Sequence, residues 1–232
     1  MATKRPAVLV SGGTGALGAA VLGELLEAGY PVTATWVVES ERERVERDFE
    51  GRGGLTLVEA DLMDPDAVAE AVGGVEDLGA IVNLVGGFSA PGKVHEHGID
   101  DFEAQLRLNL RPGFLLASAA MPRLISNGGG AFVGVSARPA LRPFAGAAGY
   151  ITGKAAVLAF IQALDADYRD QGVRCNAILP SVIDTPANRR AQPDADHSKW
   201  VPPQQIAKVV RFLVSDDSAP TSGAAIPVYG RA

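Results

Sequence analysis

A tyrosine and a lysine stand four residues apart in Gly-Tyr150-Ile-Thr-Gly-Lys154. On a helix, positions i and i+4 share one face. A free phenol with a pKa of ~10 is a poor base at neutral pH, but a nearby ammonium favours the phenolate and lowers that value. Such a phenol can give a proton to, or take one from, an oxygen on a carbon that exchanges hydride with a nicotinamide. The same spacing also fits a core tyrosine beside a solvated lysine. A second chemical signal stands near the start, in Ser11-Gly-Gly-Thr-Gly-Ala-Leu-Gly18. Between a strand and a helix, glycines permit a tight turn, admit a pyrophosphate close to the backbone and let free N–H groups at the helix start face the phosphates. Gly12, Thr14, Gly15, Ala16, Leu17 and Gly18 are therefore candidate dinucleotide-binding residues.

The elements that must hold these groups are legible as alternating runs. Short apolar stretches, many β-branched, occur at 7–10, 32–38, 55–60, 80–85, 131–135, 173–179 and 224–229. Segments with helical spacing of apolar residues lie between them at 17–28, 65–72, 102–125, 150–168 and 203–214. That alternation predicts an α/β chain with a doubly wound parallel sheet, helices on both faces, and one domain over 1–232. Residues 181–203, rich in Pro, Asp and Ala, read as a binding loop or lid after the sixth strand.

Composition narrows the partners. The 232 residues are 47% hydrophobic, and 21 basic against 27 acidic residues give a formal charge of −6. That balance argues against nucleic acid or an anionic membrane as the main partner, and no apolar run is long enough for a spanning helix. The first residues, Met1 to Gly13, do not read as a signal peptide, so the cytoplasm is the expected compartment. Cys175 is the one cysteine and reads as an inert strand residue; His95, His97 and His197 lack metal-ligand spacing, so no metal is expected.

The second strand ends near Trp36, where dinucleotide-binding domains often place an acid on the adenosine ribose. Without it, nothing at that point repels a 2′-phosphate, and Arg42 or Arg44 can approach one; the alternative is that both arginines solvate a helix face. NADP and NAD both stay open, with a tilt to NADP. Asp61-Leu62 and Asn83 to Gly87 follow the third and fourth strands, at the carboxyl edge where ligands of open sheets bind. As bland alternatives, Asp61 is a helix cap or turn residue and the glycine pair a loop punctuator.

Taken together, Ser11–Gly18, Asp61-Leu62, Asn83 with Gly86, Asn109, Tyr150-xxx-Lys154 and AILPSVIDT resemble the short-chain dehydrogenase/reductase family in order and spacing over nearly the whole chain. The resemblance implies a Rossmann-like sheet of about seven strands and hydride transfer with a nicotinamide cofactor. It implies Tyr150 as acid/base and Lys154 as its modulator and holder of the nicotinamide ribose. It also implies Asn109 in a proton relay, Asp61 near the adenine, and Pro180, Ile183 and Thr185 beside the nicotinamide and phosphates. Two positions depart from the family: Ala16 replaces the middle glycine of the first loop, and Ala137 stands thirteen residues before Tyr150, where a substrate-polarising serine is usual. Ser136 is one residue away and replaces that serine only if the strand end is irregular, because strand side chains alternate.

NLVGGFSAPG, SARPALRPFAGAAGYITGK and LPSVIDTPANRRAQPDADHSKWVPP are similar to the dihydropteridine reductase branch of that family, which also carries alanine at the serine position. The branch's cofactor-selecting acid corresponds to Trp36, so its NADH preference does not transfer. Asn188, Arg189, His197, Trp200, Phe88 and Arg138 are further candidates to meet a small-molecule substrate. The long helices at 102–125 and 150–168 carry apolar residues beyond one stripe, including Phe114 and Phe160, so they must be buried by something. In the family these helices commonly pair about a two-fold axis, which implies a homodimer or homotetramer.

Overall fold

A computed structural model describes residues 5–231; the first four residues of the N-terminal segment lie outside it. Seven strands form one parallel sheet in the order β3-β2-β1-β4-β5-β6-β7. They are β1 Ala7–Ser11, β2 Val32–Trp36, β3 Leu55–Glu59, β4 Leu78–Asn83, β5 Gly130–Val135, β6 Val173–Pro180 and β7 Ala225–Val228. Every one coincides with an apolar run of the sequence to within two residues at its start. The runs are nearly continuous because both faces are covered, and polar residues within central strands, such as Ser11, Asn83 and Asn176, are buried and hydrogen-bonded.

The helices are α1 Ala16–Glu27, α2 Glu39–Asp48, α3 Pro65–Gly73, α4 Ile99–Ser126, α5 Ala148–Tyr168, α6 Pro186–Ala191 and α7 Pro203–Val214. Strand alternation divides the interior into two cores. Leu9, Ile81, Phe132 and Cys175 face α3, α4 and α5, packing on Leu116, Leu124 and Ile161. Val8, Val10, Val82 and Val133 face the other way, onto Leu22 and Leu25 of α1 and Ile206, Val210 and Leu213 of α7. Burying each such side chain contributes roughly 1.5–3 kcal/mol, which fixes strand register because a one-residue slip would exchange the two faces. The Cys175 thiol is fully buried, and burial raises its pKa to about 12, as an inert core residue should show.

Two helices fall outside the apolar periodicity. The α2 segment ESERERVERD buries Val45 alone. It is held by Arg42 pairing with Glu39 and Glu46, and by acids in its first turn. The short α6 lies inside the 181–203 segment and starts at a Thr185 cap, whose Oγ1 accepts the Asn188 N–H at 3.2 Å, with Pro186 in its first turn.

Candidate active site

The carboxyl ends of β1, β4 and β5 gather the chemistry-bearing residues. At β1, Gly12 turns the chain with φ +66°, and its N–H donates to Thr35 Oγ1 at 3.3 Å. A Cβ at Gly18 would come within 2.3 Å of the Gly13 carbonyl oxygen, so helix and loop pack closer than any side chain allows. Gly15 precedes α1 in extended conformation and no side chain caps the helix. The first turn at Ala16, Leu17 and Gly18 thus presents N–H groups that a pyrophosphate fits. Ala16 is exposed, so the methyl replacing the family's glycine hydrogen meets no crowded part of the chain.

Around the adenosine end, Trp36 closes β2 and the Arg42 guanidinium lies 5.4 Å from its ring centroid. Arg42 is taken up by Glu39 and Glu46, whereas Arg44 reaches back to the Thr14 carbonyl. Thr14 Oγ1 donates to Glu41 at 3.2 Å, so one cation and one carboxylate share the corner beside the glycine loop. Asp61 Oδ1 accepts the Met63 N–H at 2.9 Å, which is turn capping, and leaves the carboxylate exposed. The Leu62 side chain turns into the core, which leaves only its backbone for a ligand at this edge of the sheet. Asn83 Oδ1 accepts from Ser11 Oγ at 2.7 Å and from Val85 N at 3.2 Å, tying β1 to β4 beneath the loop.

Of the three residues expected to act together, Asn109 and Lys154 approach the same glycine. A Cβ on Gly86 would stand 2.7 Å from Asn109 Oδ1 and 2.8 Å from Lys154 Nζ, so the glycine exists to let them approach. Asn109 is fully engaged with backbone: its Oδ1 accepts from Gly87 N at 3.2 Å, and its Nδ2 donates to Gly87 O at 3.1 Å and Gln105 O at 2.9 Å. Lys154 is 6% exposed and its ammonium donates to the Val135 carbonyl at 3.0 Å. Burial lowers its pKa to about 8. Burial also raises the Tyr150 phenol to about 12, the opposite of the lowering that the lysine spacing predicts. Tyr150 is consequently protonated at neutral pH, the form that donates a proton.

Ser136, the candidate replacement for the family serine, has a partner within the fold. Even-numbered positions of β5 face α5, as shown by Gly134, where a Cβ would meet Ile161 at 2.8 Å. Ser136 keeps that register, is 1% exposed, and spends its hydroxyl hydrogen on the Lys154 carbonyl at 2.7 Å. That bond ties the end of β5 to α5.

The segment after β6 folds back on itself. Pro180 ends β6, and Ile183 pairs with Val201 through an isolated bridge. The four candidates here are occupied within the loop: Asn188 Nδ2 donates to Ile183 O at 2.8 Å, and Arg189 pairs with Asp184. His197 stacks on Trp200 at 4.3 Å, and Trp200 is buried. Sequence reasoning missed Phe144, whose ring stands 6.5 Å from that of Phe88, which in turn meets the Tyr150 ring edge-on at 4.9 Å and 82°. Arg138 lies over the Tyr229 ring at 5.2 Å.

A parallel sheet with a glycine turn between β1 and α1, and a tyrosine and a buried lysine in the first turns of α5, is the arrangement of a nicotinamide-dependent oxidoreductase. The sequence pattern of the short chain dehydrogenase family matches residues 6–196, and this chain belongs to that family. It is 30% identical over 234 residues to the 2,5-dichloro-2,5-cyclohexadiene-1,4-diol dehydrogenase LinX of Sphingobium indicum, spanning 96% of this chain and 94% of that one. Among solved structures, a short-chain type dehydrogenase/reductase from Mycobacterium ulcerans has a TM-score of 0.92 at 23% identity, covering 100% of this chain and 90% of that one. ElxO with NADP bound has a TM-score of 0.90 at 22% identity, covering 97% and 98%. The protein is an NAD(P)-dependent short-chain dehydrogenase/reductase. Among the described residues no helix is long and apolar enough to cross a membrane, and no cluster of three metal-ligating side chains occurs.

Proposed function

We propose that the chain is one dinucleotide-binding domain that reduces an electron-poor, dihydropterin-like substrate, with Tyr150 as proton donor. The bound nicotinamide supplies the hydride, and one proton completes the reduction. Tyr150 delivers that proton to the substrate heteroatom and regains one from solvent. Lys154 sets the tyrosine's electrostatics and is the residue for the nicotinamide ribose, while Asn109 holds the Gly86-Gly87 backbone beside it. Gly12 to Gly18 serve the pyrophosphate, Asp61 and the Leu62 backbone the adenine, and Pro180, Ile183 and Thr185 the nicotinamide side.

The observation that carries the substrate class is the missing donor: Ala137 has no hydroxyl and that of Ser136 goes to Lys154. Losing one donor to a developing oxyanion costs about 10²–10³ in rate, a loss that bears on ordinary ketones more than on a quinonoid imine already poised to accept hydride. A simple carbonyl reductase is the competing reading, and LinX is by name a dehydrogenase of a cyclic diol. NADP(H) is the preferred cofactor, because Arg44 stands beside the Thr14 carbonyl and Trp36 supplies no acid. In a coenzyme-oxidation assay with quinonoid dihydropterin, turnover is expected with NADPH ahead of NADH, and Arg44→Ala should raise the KM for NADPH about tenfold more than that for NADH. Activity on simple ketones with none on the dihydropterin would overturn the substrate; an unchanged coenzyme ratio would remove Arg44.

Assembly as a homodimer or homotetramer through α4 and α5 is proposed from their outer face. There Leu106, Leu110, Phe114, Ala156 and Phe160 line an apolar hollow of about 430 Å³. Sedimentation at micromolar concentration should give a dimer or larger; a clean monomer would refute it.

A further inference from the structure

Two loops leave the sheet at the end where Tyr150 stands, one between β4 and α4 carrying Phe88, the other between β5 and α5 carrying Phe144. They are far apart in sequence, yet a backbone bond from Gly92 N to Gly146 O at 3.2 Å and a parallel bridge from Gly92 to Ala147 staple them together. Both glycines have positive φ, +132° and +89°, so other residues would be strained at the staple. The two phenylalanines are 63% and 47% exposed although they touch each other, and Phe88 also touches Tyr150. Two rings held in water on a stapled frame lose apolar burial that a flat partner would restore.

We infer that Phe88 and Phe144 form an aromatic wall that receives the flat, conjugated ring of the substrate and sets its reducible C=O or C=N against the Tyr150 hydroxyl. The occupant follows from the geometry. Phe88 meets the proton-donating ring edge-on at 4.9 Å, so a ring laid on Phe88 and Phe144 lies next to Tyr150. An aliphatic substrate would leave both faces wet. Phe88 has a second task, because its edge-on contact restricts the Tyr150 ring and so positions the hydroxyl. The inference rests on Tyr150 being the proton donor, and it adds which side chains select the ring.

The test compares two vicinal dicarbonyls, isatin, which is flat and aromatic, and 2,3-butanedione, which has no ring. Binding of each to the full-length protein saturated with NADP⁺ is measured by calorimetry, followed by turnover with NADPH. Isatin should bind at least about tenfold more tightly. Phe88→Leu and Phe144→Leu, which keep apolar bulk but remove the ring, should each weaken isatin about three- to tenfold more than butanedione, with butanedione and NADP⁺ binding unchanged in Phe144→Leu, whose ring meets Phe88 and not Tyr150. Equal affinity for the two probes, or equal loss of both in the variants, overturns the wall. Loss of self-association in the variants with isatin affinity intact also overturns it, by showing a second copy as the occupant. Tyr150→Phe separates the two readings: turnover that survives it sinks the proton donor, while the calorimetric arms still judge the wall.

Discussion

Tyr150→Phe should lower kcat by about 10²–10⁴, the usual contribution of a positioned general acid, with coenzyme affinity and melting temperature nearly unchanged. The fold should tolerate the change because the ring that packs edge-on against Phe88 at 4.9 Å is retained and the hydroxyl alone is lost. The pH dependence carries the same assignment. Burial raises the phenol to about 12, so reduction finds the donor protonated throughout the neutral range. Oxidation needs the phenolate, so its rate should climb towards tenfold per pH unit above neutrality. Wild-type oxidation that is flat between pH 7 and 9, or a Phe variant with full kcat, would remove Tyr150 from the chemistry.

The second large effect is a trade between activity and stability at Lys154. This side chain is 6% exposed, its Nζ donates to the Val135 carbonyl at 3.0 Å, and no carboxylate stands within ion-pair distance of it among the described residues. A pKa of about 8 rather than 10.5 means that the folded state carries the charged lysine at a penalty of about 3 kcal/mol. Below pH 8 the lysine is protonated in both folded and unfolded states, so the penalty is present in full. Between pH 8 and 10.5 the unfolded chain still binds the proton that the folded protein has released, and stability rises with pH. From about pH 9 Cys175, and above pH 10 Tyr150, act oppositely, since the folded protein keeps protons that the unfolded one loses. The clean window is therefore pH 8 to about 9.

Lys154→Met should cost about 10²-fold or more in kcat while making the protein more stable at pH 7. Orphaning the Val135 carbonyl offsets about 1 kcal/mol of that gain. Denaturant titrations across pH 8 to 9 should show the wild type gaining stability and the variant lacking that gain. Lower stability of the variant at pH 7 would mean that the ammonium is better solvated than its burial implies. Full activity in the variant would detach the lysine from the tyrosine.

The sheet was readable from composition along the chain because a parallel strand covered on both faces is mostly apolar, as in AVLV; in VRCNAIL the two polar residues, Arg174 and Asn176, are spent on backbone carbonyls. The α2 helix escaped the same reading because ESERERVERD has no apolar stripe; its stability comes from charge pairs and the burial of Val45. The α6 turn was signalled by Thr185-Pro186, a cap followed by a proline, but six residues are too few to show a period. Asn188, Arg189, His197 and Trp200 had the chemistry of substrate contacts, and the loop used them on itself.

For the active site, the sequence by itself determined the residue types and their order: the glycine turn, Asn109, and Tyr150 with Lys154 one helical turn apart. A spacing within one helix is a local property, and backbone geometry alone puts the two side chains on one face. The tertiary structure decided what spacing cannot carry. Packing against the neighbouring elements buried Lys154 and set both titrating groups towards their neutral forms. Strand alternation in β5 turned Ser136 under α5 and gave its proton to the Lys154 carbonyl. A Gly92–Gly146 staple between loops more than fifty residues apart placed Phe144 beside Phe88. Each of these depends on which surfaces meet across the fold, and contacts between distant segments leave no period in the sequence to read.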